Sequence, residues 1–141
     1  MRFWDASAIV PLLVEQPASA AADAEIAADP GVIIWWATPV ECASAIARLL
    51  HEDAVAEREL AVAHASLAAL QSVWFEVQPS RALRDRAIRL LRVHDLHTAD
   101  ALQLAAALEW SESAEAELLT FDRRLATAAR REGFSVPELP I

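Results

Sequence analysis

Lysine is absent from this chain, so all twelve of its basic residues are arginine. That removes Schiff-base chemistry and the phosphate-binding P-loop, both of which need a lysine amine. Glycine is almost absent as well: Gly31 and Gly133 stand too far apart to form a dinucleotide-binding fingerprint. The single cysteine, Cys42, excludes an internal disulfide and any multi-cysteine zinc site, and its small apolar neighbours make it a packed core thiol. No apolar run reaches the length of a membrane span, the longest (residues 101–108) being interrupted by Gln103. The first residues show no charged segment ahead of a long apolar core, so no secretory signal is expected and the cytoplasm is the expected compartment. Positive charge is scarce too: 12 basic against 21 acidic residues leaves −9, which opposes non-specific nucleic-acid binding unless bound divalent cations offset it.

What is present is a core. With 141 residues, 55% of them hydrophobic, the chain is expected to form one folded domain over residues 1–141. Arg2-Phe3-Trp4-Asp5 reads as a first strand and residues 6–14 as a helix, with Pro11 near its first turn. Ser19 is expected to cap an Ala-rich helix to about Ala28, and Asp29-Pro30-Gly31 to turn. Residues 32–36 are an unbroken apolar run of strand length, as in a strand covered on both faces. Thr38, Pro39 and Glu41 read as N-cap, N1 and N3 of a capping box. That helix runs to about Glu52, and a second over 54–71 makes a hairpin with it. A strand over 73–77, a helix over 81–93 capped by Ser80, and an apolar helix over 98–110 follow. A fourth strand (117–120), a helix (123–132) closed by Gly133, and a short strand (134–136) complete the chain. Such alternation predicts an α/β domain with a central parallel sheet of four to five short strands.

Four acids sit at strand ends or in first helical turns: Asp5, Glu41, Asp100 and Asp122. Singly, each has a local explanation as an N-cap, the return half of a capping box, or a helix-dipole partner. In an open parallel sheet, however, strand ends and following helix starts share one edge, where ligands bind. Carboxylates about 6 Å apart at an effective dielectric of about 20 repel by about 3 kcal/mol per pair. A cluster of four therefore needs cations or a proton. Oxygen-only ligation points to Mg²⁺ or Mn²⁺. Ser7 and Thr120 place hydroxyls beside two of the acids, as turn residues or as groups that orient carboxylates.

The D-A-S at 5–7, P-V-E-C-A-S-A-I-A-R-L at 39–49, H-T-A-D-A-L-Q-L-A-A-A-L at 97–108 and L-L-T-F-D-R-R-L at 118–125 resemble the four motif regions of PIN domains. More narrowly they resemble the VapC-type toxins of toxin–antitoxin pairs. The resemblance covers essentially the whole chain. It implies a three-layer α/β/α fold and a Mg²⁺- or Mn²⁺-dependent endoribonuclease. Asp5, Glu41, Asp100 and Asp122 match the family's acidic catalytic and metal-binding quartet, and Ser7 and Thr120 its accessory polar positions. A metal-held water would attack the phosphodiester in line, leaving 5′-phosphate and 3′-hydroxyl ends. A homodimer, an RNA substrate (transfer or ribosomal RNA) and an antitoxin partner are implied too. The helices over 40–50 and 54–70 are candidates for the groove that an apolar antitoxin segment would fill.

Arg48 follows Glu41 by two helical turns on one face, so it could reach substrate phosphate or an acid. Arg81, Arg84, Arg89 and Arg92 gather on one side of their helix, opposite Leu83, Ala87 and Leu90. They are either a solvated face or an RNA-contacting ridge. His94 and His97 are either loop residues or an acid/base pair for metal-free cleavage through a cyclic phosphate. Trp35 and Trp36 should point to opposite faces of their strand, one into the core and one to an interface. Two rival functions are a metal-dependent phosphatase-like hydrolase and a catalytically silent PIN-like binding module. The first wants an Asp where Ser7 stands and a lysine the chain lacks; the intact quartet opposes the second.

Overall fold

The computed structural model describes residues 1–111 and 115–140. Strands β1 (Arg2–Trp4), β2 (Val32–Trp35), β3 (Phe75–Val77) and β4 (Leu118–Leu119) form a parallel sheet in the order β3-β2-β1-β4. Seven helices accompany them among the described residues: α1 (Ala6–Leu13), α2 (Ser19–Ala28), α3 (Thr38–His51), α4 (Glu57–Gln71), α5 (Arg81–Val93), α6 (Thr98–Trp110) and α7 (Arg123–Arg131). The expected final strand shrinks to one parallel bridge, Glu117 to Ser135, held by Leu118 N–H to Ser135 O and Ser135 N–H to Ala116 O.

Alternation along the strands divides the core in two. Phe3, Ile33, Trp35 and Leu118 face Leu83 and Leu90 of α5, Leu104 of α6 and Leu125 of α7. Trp4, Val32, Ile34 and Leu119 face Ile9 of α1, Cys42 and Ile46 of α3, and Leu67 of α4. The result is the expected three-layer α/β/α sandwich, and it explains why β2 is apolar at every position. Helix α6 packs α5 on one side and β2 and β3 on the other. Its alanines 101, 105, 106 and 107 are fully buried, because only a methyl fits where the elements approach so closely.

Several local expectations change. Pro11 lies in the sixth position of α1, buried, beyond the first turn; its missing N–H leaves the fourth-preceding carbonyl, of Ser7, without its usual helical donor. Ser19 is not a cap. It is the first residue of α2, and its buried hydroxyl accepts from Gln16 N–H and donates to Pro11 O, tying the α1–α2 connection. Trp36 begins the turn after β2 rather than extending the strand, so its ring meets Trp35 edge-on at 6.3 Å instead of pointing away. Trp35 is buried and Trp36 is 52% exposed. Strand β3 loses Val73 and Trp74 to the turn that leaves α4. At Gly133 the backbone reaches φ +102°, closing α7 as expected.

Candidate active site

The strand order reverses at β1, with β2 and β3 to one side and β4 to the other. At such a switch point the connections leave in opposite directions and open a crevice at the carboxyl ends of the central strands. Asp5 follows β1 directly and is the N-cap of α1. Its Oδ2 accepts from Ser7 N–H (3.2 Å), Ser7 Oγ (2.5 Å) and Thr120 Oγ1 (2.8 Å), the last arriving from the end of β4. Among the described residues Oδ1 takes no hydrogen bond. Ser7 Oγ also accepts from Phe121 N–H, and Thr120 Oγ1 from Asp122 N–H, so the two hydroxyls stitch the loop after β4 to the start of α1. Asp122 caps α7 through Leu125 N–H at 2.9 Å. For Asp5 and Asp122 the cap and the site are therefore the same residue.

Glu41 comes from the first turn of α3, but Thr38 is not the cap and there is no capping box: Thr38 is the first helical residue and the cap position falls one residue earlier, at Ala37. Gln103 of α6, fully buried, donates Nε2–H to Glu41 Oε1 (3.0 Å) and to Thr38 Oγ1 (3.1 Å). Both expected box members are thus drawn across to a residue on another helix. Gln103 went unnoticed in the sequence except as an interruption of an apolar run. The signal available was that a buried polar side chain must find partners.

Asp5, Ser7, Glu41, Arg48, Asp100 and Asp122 line one cleft of about 690 Å³, whose α3 wall continues through Val40, Ser44 and Ala45. Burial pushes the Asp5 carboxyl above its usual range, against the pull of the Ser7 and Thr120 hydrogen bonds and with a further rise from Asp100. Burial, then the charge of Asp5, pushes Glu41 up to about 7, Gln103 opposing. Asp100 is raised by burial and by Asp122, while His97 and Arg124 counteract. The Cys42 thiol beneath is pushed up to about 12 by burial and by Asp5 and Glu41, leaving it an inert core group.

These raised carboxyls share one cause: acids gathered out of water with too little positive charge nearby. Among the described residues none of the four acids forms an ion pair. Nor do three His, Cys, Asp or Glu side chains stand close enough there to make a ready cage for a cation. The acids ring the cleft, Asp5 and Asp122 held as helix caps and Glu41 by Gln103. That arrangement suits an oxygen-seeking cation that keeps several waters and takes one or two carboxylates directly, as Mg²⁺ does.

The sequence profile of the PIN domain matches residues 2–131. The chain belongs to the PIN domain family. No curated protein sequence matches it. Among solved structures it is similar to a toxin–antitoxin complex from Klebsiella pneumoniae, with a TM-score of 0.70, 18% identity and 99% of each chain covered. It is also similar to FitAcB from Neisseria gonorrhoeae, with a TM-score of 0.68 and 17% identity, covering 98% of this chain and 97% of that one.

In this PIN domain the arginines expected along α5 do not reach the acidic cleft. Arg81 and Arg84 border a separate hollow with Trp35, Pro79 and Leu102. Arg89 is paired with Glu132, and Arg86 with Glu109. Arg92 stays exposed outside the cleft. Of these six arginines, Arg48 alone lines it. The two histidines diverge: the His94 ring is 6% exposed and bonded through Nε2 to Glu132, whereas His97 is exposed beside Arg124. They form no acid/base pair.

Proposed function

We propose that this PIN domain is a Mg²⁺- or Mn²⁺-dependent endoribonuclease and the toxin of a type II toxin–antitoxin pair, acting in the cytoplasm. The observation that carries the reading is the convergence of Asp5, Glu41, Asp100 and Asp122, from four separate elements, on one cleft with no ion pair to any of them among the described residues. Asp5 and Asp100 would hold the cation, with Glu41 and Asp122 completing its shell or orienting its waters. When bound, it supplies a water of lowered pKa and positive charge against the developing phosphoryl oxyanions.

The chain's own residues do the rest. Ser7 and Thr120 occupy Oδ2 of Asp5 and so reserve Oδ1 for the cleft. Gln103 occupies Oε1 of Glu41 and so leaves Oε2 to face cation-bound water or substrate. Arg48 lines the cleft, where its guanidinium can meet a substrate phosphate. The likeness to a toxin–antitoxin complex supports an antitoxin partner. The α3 wall, where the exposed Val40 (69%) adjoins Ala45 and Val10, supplies the apolar groove for its segment. A homodimer and a transfer or ribosomal RNA substrate complete the proposal, following from the family resemblance.

The test is cleavage of total RNA by protein freed of any partner, with Mg²⁺ or Mn²⁺, with EDTA, and with Asp100→Asn. We expect cation-dependent cuts with 5′-phosphate ends, abolished in the variant. Cutting that persists in EDTA or in Asp100→Asn would sink the proposed mechanism, and cyclic-phosphate ends would require a different one.

A further inference from the structure

Beside the acidic cleft lies a second, smaller hollow of about 260 Å³, bordered by His94, Asp95, Arg123, Arg124, Thr127 and Arg131, with buried Ala128 among its lining. Arg123, Thr127 and Arg131 recur every fourth residue and so form one stripe of α7, with Arg124 a step round the helix. Three guanidinium groups face a single carboxylate. That carboxylate, Asp95, is 90% exposed and only 4.0 Å from Arg124 at best. At such exposure the pair is worth little. Among the described residues Arg123 and Arg131 enter no ion pair. The remaining wall is His94, whose ring is almost wholly buried and anchored to Glu132, while its Nδ1 is buried with no partner.

The hollow adjoins the cleft. Arg123 directly follows Asp122, which lines the cleft, and Arg124 reaches Nε2 of His97 (3.3 Å), the residue that opens the helix carrying Asp100. In a chain of net charge −9, it is a local concentration of positive charge beside the place where RNA would be cut. Its volume is below that of sites for whole small molecules, about 300–1,000 Å³, and suits a single compact anion. Arginine's planar fork is the group that matches phosphate oxygens.

We propose that this hollow is a subsite for one backbone phosphate of single-stranded RNA, flanking the nucleotide held in the acidic cleft, with Arg123 and Arg131 as its principal contacts. The inference rests on the ribonuclease reading of the cleft. It concerns binding rather than cleavage, so the two can fail separately.

The test uses the full chain carrying Asp100→Asn, in EDTA, with a fluorescent single-stranded RNA whose anisotropy is followed across a NaCl titration. Adding Arg123→Ala and Arg131→Ala should weaken binding similarly for RNAs of unrelated sequence and lower the slope of log K against log[salt] by about 0.7 for the phosphate released. Arg58→Ala, an exposed arginine of α4 outside both hollows, should leave affinity and slope unchanged. Both arginines are exposed, so the variants should keep the parent's melting temperature. An unchanged slope, a loss confined to one RNA sequence, or an equal loss in Arg58→Ala would overturn the subsite. If wild-type protein cuts RNA while the slope stays unchanged, the subsite alone fails. If the slope falls but wild-type protein cuts nothing, the cleft reading fails and the subsite stands.

Discussion

Asp5 shows how hydrogen bonds oppose burial at a single carboxylate. It is 4% exposed, and burial drives its carboxyl upward; three donors on Oδ2 push the other way. Of those donors Thr120 is the informative one, because it comes from β4 while Asp5 comes from β1, so their bond fixes the carboxylate relative to the whole switch-point crevice. Replacing Thr120 by Val keeps the shape and removes the hydroxyl. It also strands the Asp122 N–H that the hydroxyl accepts. Groups that orient a metal-binding carboxylate are commonly worth about 10–100-fold in metal affinity. Thr120→Val should therefore weaken Mn²⁺ binding by about that factor in a calorimetric titration. Ser44→Ala, on the cleft wall but bonded to none of the four acids, should leave it unchanged. Equal affinities for wild type and Thr120→Val would show that Asp5 needs no such positioning.

At the scale of elements, the cleft depends on a clasp between α3 and α6: Gln103 reaches across to both Thr38 and Glu41. Gln103→Leu should cost about 1–3 kcal/mol in chemical denaturation, because it leaves Thr38 buried without a partner. Adding Thr38→Val removes that orphan and should recover much of the stability, while Glu41 stays unheld and Mn²⁺ affinity stays low. If affinity recovered together with stability, Gln103 would be only a packing residue. The same clasp marks the limit of what the chain discloses in one dimension. Helix α5 was legible to the residue because its cap is local: Ser80 Oγ accepts from Leu83 N–H, three positions on. The four acids were legible because strand ends and helix starts fall on one edge in any parallel α/β sheet. The capping box at Thr38 misled for the opposite reason, its two members being claimed by a partner 65 and 62 positions away. Likewise the α5 arginines left a solvated face and an RNA-contacting ridge both open, and nothing nearby in sequence reveals that Glu132 of the α7 C-cap neutralises Arg89. Short-range chemistry fixes element ends, and long-range pairing decides which polar groups are left over for function.

For the molecule as a whole, the cleft makes stability a function of pH and of cations. Asp5, Glu41 and Asp100 all hold protons more tightly folded than unfolded. The folded state then binds more protons, so these groups stabilise it at low pH and lose that contribution as pH rises from the unfolded carboxylate range to the folded values. For Glu41 the window runs from its ordinary value of 4.5 to about 7. Asp29, bonded to the amino terminus and Gly31 N–H, and Glu132, bonded to His94 and Arg89, are shifted downward. Their contribution has the opposite sign: it grows as pH rises through the unfolded carboxylate range, is complete just above it, and is lost toward acid. Cation-free protein should consequently melt at progressively lower temperature as pH rises from about 4.5 to about 7. Mg²⁺ should reverse the decline, since it binds only the deprotonated cleft: stabilisation grows as RT ln(1 + [L]/Kd), about 2.7 kcal/mol at a hundred times Kd. Melting curves across that range, in EDTA and in Mg²⁺, measure both effects. Glu41→Gln should raise the melting temperature of the cation-free protein at pH 7, flatten its pH dependence and shrink the gain from Mg²⁺, because one act of neutralisation removes both the repulsion and the ligand. A wild-type melting temperature that rises toward pH 7 in EDTA would mean the cleft acids are already compensated within the chain, and the case for a cation there would fall with it.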